Sequence, residues 1–120
     1  MPETKVYRNG SVSQFLTEDV FWDILSDAIK EGMQFLGDSP KQAVIIYIEK
    51  RHSIKEDEYS KRLETLHRGL TEIFGIGAKV IERRIAKNLY GRLGLDFREQ
   101  EKWTMIEYVE EAKKRIGSCL

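Results

Sequence analysis

Apolar residues recur at spacings of three and four along most of this chain, the pattern of helices that each bury one face. From Thr17 onward, Val20, Phe21, Ile24, Leu25, Ala28, Ile29, Met33 and Leu36 keep that period. Thr17 reads as an N-cap with Glu18 and Asp19 in the first turn, and Gly37 as the left-handed residue that ends the helix. Ser39-Pro40-Lys41-Gln42 then has the form of an N-cap, a proline at the first helical position and a Gln that closes a capping box. The run Val44-Ile45-Ile46-Tyr47-Ile48 is apolar nearly all round. A buried strand would look the same, but the caps and the length to Arg51 predict a central buried helix. Ser53-Ile54-Lys55-Glu56 offers a further capping box, with a short helical turn over Lys55 to Tyr59. A third long helix is predicted from near Ser60, with Leu63, Leu66, Leu70, Ile73 and Phe74 on its stripe. Gly75 and Gly77 bracket a sharp turn. A fourth helix starts at Ala78, its inner stripe Val80, Ile81, Ile85, Leu89 and Leu93, with Gly94 at its stop. Leu95 to Lys102 reads as extended or irregular. Thr104-Met105-Ile106-Glu107 caps a last helix with Ile106, Val109, Ala112 and Ile116 inside and basic Lys113, Lys114 and Arg115 at its C-terminal end. Near the start, Asn9-Gly10 lies between short β-capable stretches. Lys5 to Val12 therefore reads as a small hairpin or a frayed arm, ordered only where it packs on the body or on a second subunit. The predicted architecture is all-α and single-domain: an arm over 1–16 and an array of about five helices over 17–120.

Composition agrees with one soluble domain, since 120 residues with 41% hydrophobic and 33% charged side chains fall near ordinary globular usage. Twenty Lys and Arg balance twenty Asp and Glu, so no whole-molecule field draws the chain to nucleic acid or to an anionic membrane, and any polyanion binding must be local. Charge is nevertheless segregated. Glu18, Asp19, Asp23, Asp27 and Glu31 stand against Lys30 on the first helix, whereas Lys79, Arg83, Arg84, Lys87 and Arg92 stand against Glu82 on the fourth. These faces are expected to attract, within one subunit or between two, and to guide docking more than to stabilise. The single Cys119 excludes an intramolecular disulfide framework and suits a reducing cytosol. No apolar run approaches the ~20 residues of a membrane span, and Met1-Pro2-Glu3 opens no signal peptide. A cytoplasmic protein without a membrane partner is expected.

Candidate chemistry is sparse. His52 and His67 are the only histidines and have no cysteine at metal-finger spacing, so no metal is expected. His52, with Glu49, Glu56 and Asp57 nearby in sequence, reads as a solvated helix end. Glu56, Asp57 and Glu58 are sequential on a surface turn and do not form a catalytic pair, and Cys119 has no evident orienting base. No catalytic residue, no cofactor and no enzymatic activity are expected. The most suggestive segment is Ile73-Phe74-Gly75-Ile76-Gly77-Ala78-Lys79. It is not a phosphate-binding loop of the Walker type, because one residue separates the glycines and no Ser or Thr follows Lys79. It resembles the hairpin of helix-hairpin-helix DNA-binding modules, in which Gly-apolar-Gly lets backbone N–H groups at a helix start meet a phosphate. On that reading Gly75, Gly77, Lys79, Arg83, Arg84 and Lys87 are the candidate contacts. The competing reading is a tight interhelical turn whose glycines permit close packing and whose charges solvate a helix. Phe21 and Phe74 fit the core stripes, while Trp22, Phe35, Trp103 and Tyr108 fall beside them, as core margin or subunit contact. Two-fold self-association is the commonest way to cover leftover apolar surface, so a homodimer is expected.

Three blocks carry a family resemblance: Lys41-Gln42-Ala43-Val44-Ile45-Ile46-Tyr47-Ile48-Glu49-Lys50, Leu70-Thr71-Glu72-Ile73-Phe74-Gly75-Ile76-Gly77-Ala78-Lys79-Val80-Ile81-Glu82, and Lys87-Asn88-Leu89-Tyr90-Gly91-Arg92-Leu93-Gly94-Leu95. Together with Tyr108-Val109-Glu110-Glu111-Ala112-Lys113, they resemble the small archaeal module called the Nitrosopumilus output domain, in its fifth variant. The likeness spans about residues 20 to 116 and leaves out the N-terminal arm. The resemblance implies an all-helical, non-enzymatic unit, found alone or at the end of archaeal signalling and transcription-related chains, and it brings no catalytic residues. The expected function is a signalling-output or protein-interaction module that is homodimeric and has a further protein partner of unknown identity. A DNA-binding protein using the Gly75 to Lys79 turn is the alternative.

Overall fold

The computed structural model describes residues 17–117. Five α-helices run in order: α1 Glu18–Met33, α2 Asp38–His52, α3 Leu63–Phe74, α4 Ala78–Leu93 and α5 Met105–Gly117. Tight 3₁₀ segments at Gln34–Leu36, Glu56–Lys61 and Gly75–Gly77 join the first four, and no strand occurs among the described residues. The all-α expectation therefore holds. The arm or hairpin expected over 1–16 and Cys119 lie outside the described residues.

Local chemistry sets most of the boundaries. The Thr17 hydroxyl accepts from the Val20 N–H at 3.2 Å, satisfying one of the amide groups that a helix start leaves without a partner. At α5 the Glu107 carboxylate accepts from the Thr104 N–H at 2.7 Å, and the Thr104 hydroxyl accepts from the Ile106 N–H at 3.2 Å, the reciprocal cap read from the sequence. Gly94 ends α4 with φ 71°, and the Leu95 N–H bonds back to the Tyr90 carbonyl at 2.9 Å. The first helix stops earlier than expected. It breaks at Met33 into the 3₁₀ turn, and Gly37 follows at φ 92°, ψ 158°, outside the left-handed helical region. Likewise α2 begins at Asp38, and no side-chain cap from Ser39 is made. Ser53 does not open a capping box; it closes α2 in the left-handed conformation at φ 61°. The cap of the next turn falls two residues on, where Glu58 accepts from the Lys55 N–H at 2.8 Å. The third helix starts at Leu63, after this turn has run its course.

The core is built on the pairing of α1 with α4, the broadest contact between elements. Phe21, Ile24, Leu25, Ala28 and Ile29 of α1 and Ile81, Ile85, Ala86, Leu89 and Leu93 of α4 are all buried in one cluster. Close approach is possible because Gly32 carries no side chain: a Cβ there would lie 2.5 Å from Ile85 Cγ1 and 2.8 Å from Ile85 Cα. The opposite charges of the two helices meet inside one subunit, where Arg92 approaches Glu31 at 3.7 Å. Helix α5 packs against α4 and α3. The irregular segment after Gly94 is pinned by an aromatic cluster, in which Phe97 lies 5.4 Å from Tyr90 and Trp103 lies 5.1 Å from Tyr108, centroid to centroid. The Tyr108 hydroxyl accepts from the Gln100 N–H and the Tyr90 hydroxyl donates to the Tyr108 carbonyl, each at 2.7 Å. Tyr108 is thus part of the core and not its margin.

Two further sequence expectations about burial fail. Helix α2 is peripheral, resting on α3 and the 34–36 turn; Val44 and Ile48 are buried, while Ile46 is 51% and Tyr47 38% exposed. Val80 does not join the inner stripe of α4. It sits one residue before Ile81, about 100° round the helix, and is 50% exposed.

Candidate functional site

The turn between α3 and α4 brings Gly75, Ile76 and Gly77 to the surface. Gly75 adopts φ 58°, ψ −131°, which side chains disfavour, and a Cβ built there would meet no atom within 4 Å. Gly77 has an ordinary φ of −66°, and its Cβ would make an ordinary 3.7 Å contact with Phe74. The junction therefore needs a glycine for backbone conformation at one position and for close packing at neither, contrary to the tight-packing reading. Close packing falls instead to Gly32, and to Gly69, where a Cβ would come within 2.8 Å of Ile48 Cγ1. Between the two glycines Ile76 stands 89% exposed. The Ala78 N–H is already used by the Gly75 and Ile76 carbonyls.

The basic candidates divide into two groups. Lys79 Nζ donates to the Glu101 carbonyl at 2.8 Å and Arg83 approaches the Glu99 carboxylate at 3.9 Å, so both fasten the segment before α5 to α4. Arg84 lies over the Phe35 ring at 4.3 Å, a cation–π contact. With Lys87 it borders a surface groove of about 590 Å³ between α1 and α4, also lined by Glu31, Asn88 and Arg92. Arg92 is held there by the Asn88 side chain at 2.6 Å and by Glu31. Lys79, Arg83, Arg84 and Lys87 share the outward side of α4 with Val80, and Gly75 and Gly77 flank its approach.

Two polar clusters went unread in the sequence. Glu82 is 2% exposed, and its carboxylate sits 2.5 Å from His67 Nδ1 and accepts from the Met105 N–H at 3.1 Å. One side chain of α4 thereby holds α3 and the start of α5, where a negative group is favoured by the amide dipoles. Its place was legible in principle, because Glu82 shares the buried side of α4 with Ile85, Ala86 and Leu89. The second cluster overturns the solvated helix end expected at His52. His52 Nε2 lies 2.9 Å from the Glu72 carboxylate, which also accepts from the Tyr47 hydroxyl at 3.1 Å. The hydrogen bond from His52, with help from Tyr47 and Arg51, holds the Glu72 carboxyl below the usual carboxylate range. These partners are twenty or more positions apart, and no local pattern announces them. Among the described residues no group of three His, Cys, Asp or Glu could hold a metal ion, and no helix is long and apolar enough to cross a membrane.

The other exposed feature is the outer side of α2, where Ala43 and Ile46 face away from the body, the Tyr47 ring is part-exposed while its hydroxyl reaches Glu72 of α3, and Lys50 follows one turn on from Ile46. Asp38 lies at the start of this helix and Lys50, Arg51 and His52 at its end. Compared with known proteins, the chain matches no family model, no curated protein and no solved structure.

Proposed function

We propose that this chain is a non-enzymatic interaction module, of the signalling-output kind that its resemblance implies, and that it self-associates through the outer side of α2. The observation that carries this reading is a helix with apolar residues on both sides, covered by the described residues on only one. Burial of apolar area contributes about 25 cal/mol per Å², so Ile46 and Tyr47 gain by meeting a second apolar surface. A two-fold axis supplies one with no further gene product, because the same patch occurs on both copies. Antiparallel pairing of two α2 helices brings the Asp38 end of each against the Lys50 and Arg51 end of the other, and also opposes the helix dipoles favourably. One helix face is smaller than the ~800 Å² per partner of a standard interface. The dimer is accordingly weak, with dissociation in the micromolar range.

Light scattering over a concentration series tests this directly. The unmodified chain shifts from monomer toward dimer mass as concentration rises, and Ile46→Glu stays monomeric with an unchanged circular dichroism spectrum. A chain that remains monomeric at high micromolar concentration refutes the reading.

A further inference from the structure

We propose that the outward ridge of the α3–α4 junction is a docking surface for an anionic lipid bilayer, with Ile76 and Val80 entering the headgroup region and Lys79, Arg83, Arg84 and Lys87 meeting lipid phosphates and carboxylates. This goes beyond self-association and uses a different face of the molecule.

Three features converge here. Ile76, at 89% exposure, is the most exposed large apolar residue described, and Val80, one helical turn later, is 50% exposed. Both lie on the exposed approach to α4: Ile76 is in the 3₁₀ turn that leads directly into Ala78, and Val80 is in the first turn of the helix. The ridge is convex: Ile76 stands at the tip of a turn, between glycines that add no side chains of their own. Four cations follow it along the same side of α4, from Lys79 in the first turn to Lys87 about three turns on from Ile76. Lys79 spends its hydrogen bond on a carbonyl and keeps its charge unneutralised by that contact, Arg83 meets, among the described residues, a carboxylate at 3.9 Å, and Arg84 is stacked on the uncharged Phe35. Of the acidic side chains on α4 and the elements packed against it, Glu82 is turned into the core, Glu31 faces Arg92, and Glu99 and Glu101 lie on the segment before α5. The cations outnumber the carboxylates on the ridge itself. The chain's formal neutrality does not oppose this, because the attraction acts within about a Debye length, ~8 Å at physiological salt.

Shape and composition together select the partner. A nucleic-acid backbone rewards the cations but offers Ile76 and Val80 nothing apolar to enter, and the Ala78 N–H that a phosphate would seek is already bonded within the turn. A folded protein would need a pocket matched to the protruding tip. A fluid interface deforms around it, taking up apolar side chains at headgroup depth while its anionic lipids attract neighbouring lysines and arginines.

The test is co-sedimentation of the full chain with phosphatidylcholine vesicles, with and without phosphatidylserine, and a parallel titration with duplex DNA. The expected result is binding to the phosphatidylserine vesicles, little to phosphatidylcholine alone, and loss on raising salt. Ile76→Ser should weaken that binding about 10-fold, the equivalent of one buried aliphatic side chain. Lys87→Gln and Arg84→Gln should each weaken it roughly 5-fold. Ile46→Glu, on the α2 face, should leave it unchanged, which separates a failure here from a failure of the dimer. Circular dichroism checks that the variants fold, and Val80→Ser repeats the test one turn away. Absence of binding to anionic vesicles, binding that both Ile76→Ser and Val80→Ser leave intact, or DNA binding without vesicle binding would each overturn the proposal.

Discussion

Gly32→Ala is the sharpest test of how the core is assembled. The added methyl would sit 2.5 Å from Ile85 Cγ1, 2.8 Å from Ile85 Cα and 2.9 Å from Ile85 N. Carbon atoms prefer ~3.5–4.0 Å, so roughly 1 Å must be recovered. A side-chain rotation can relieve only the first of these contacts. The other two are backbone, and they oblige α1 and α4 to separate along their shared face. A radial gap of 0.5–1 Å forfeits about a quarter to a half of each dispersion contact it opens. Overpacking of this kind costs about 1–3 kcal/mol. Against it stands the gain of alanine over glycine inside a helix, about 1 kcal/mol. Because the strain falls on backbone, the upper part of that cost applies: Gly32→Ala is expected to destabilise by about 1–2 kcal/mol net, lowering the melting temperature by roughly 3–12 °C for a chain of this size. Urea or thermal unfolding followed by circular dichroism reads both. Gly91→Ala supplies the opposite sign, since a Cβ at Gly91 in the same helix α4 meets nothing within 4 Å. It should stabilise by about 0.4–1 kcal/mol. Ile85→Ala in the Gly32→Ala background should not restore the parental stability, because the Cα and N contacts remain. If Gly32→Ala proves as stable as the parent, the close crossing of α1 and α4 is wrong.

Three further outcomes follow from the polar groups. His67→Ala leaves the buried Glu82 carboxylate with the Met105 N–H as its one remaining partner among those described, and should cost ~1–3 kcal/mol in urea unfolding; an unchanged midpoint would contradict the buried pairing. The Tyr59 hydroxyl is buried without a hydrogen-bond partner among the described residues, and burial, with Glu56 and Glu49 adding to it, pushes its pKa up to about 12. Tyr59→Phe should therefore raise stability by about 1 kcal/mol, and a loss in unfolding assays would show that the hydroxyl is bonded after all. Hydrogen bonds from Thr104 hold the Glu107 carboxyl below the usual range. Its contribution is complete above the ordinary carboxylate pKa of ~4.3 and is lost as pH falls through the lower folded value. Glu107→Gln, which keeps an acceptor and abolishes the titration, should flatten part of the acid limb of stability against pH, the rest being left to Glu72, which is shifted the same way.

Helix existence was legible from short-range pattern, because a stripe at three-and-four spacing with a cap at each end states its own geometry. Thr17, Gly94 and the Thr104 to Glu107 box acted as read. What failed were inferences that need to know the neighbours. The apolar run of α2 says only that the helix tolerates burial on every side; whether the chain supplies cover depends on where α3 ends up. Val80 and Ile81 are equally apolar, yet a difference of 100° sends one outward. The glycines with demanding packing, Gly32 and Gly69, carry no sequence mark that separates them from Gly91, since crowding is a property of the facing helix. The basic candidates shared a helix side as expected, and only the folded position of Glu99 and Glu101 shows that Lys79 and Arg83 also hold the chain together.

The Glu82 anchorage bears on how this molecule comes apart. Detaching α5 would strip the Met105 amide from the buried Glu82 carboxyl group and leave that polar group facing a half-open core. Departure of the last helix is therefore coupled to loss of the α3–α4 pairing, and the three elements should melt as one cooperative unit, with the Met105 amide exchanging with solvent at a rate set by that unit's opening.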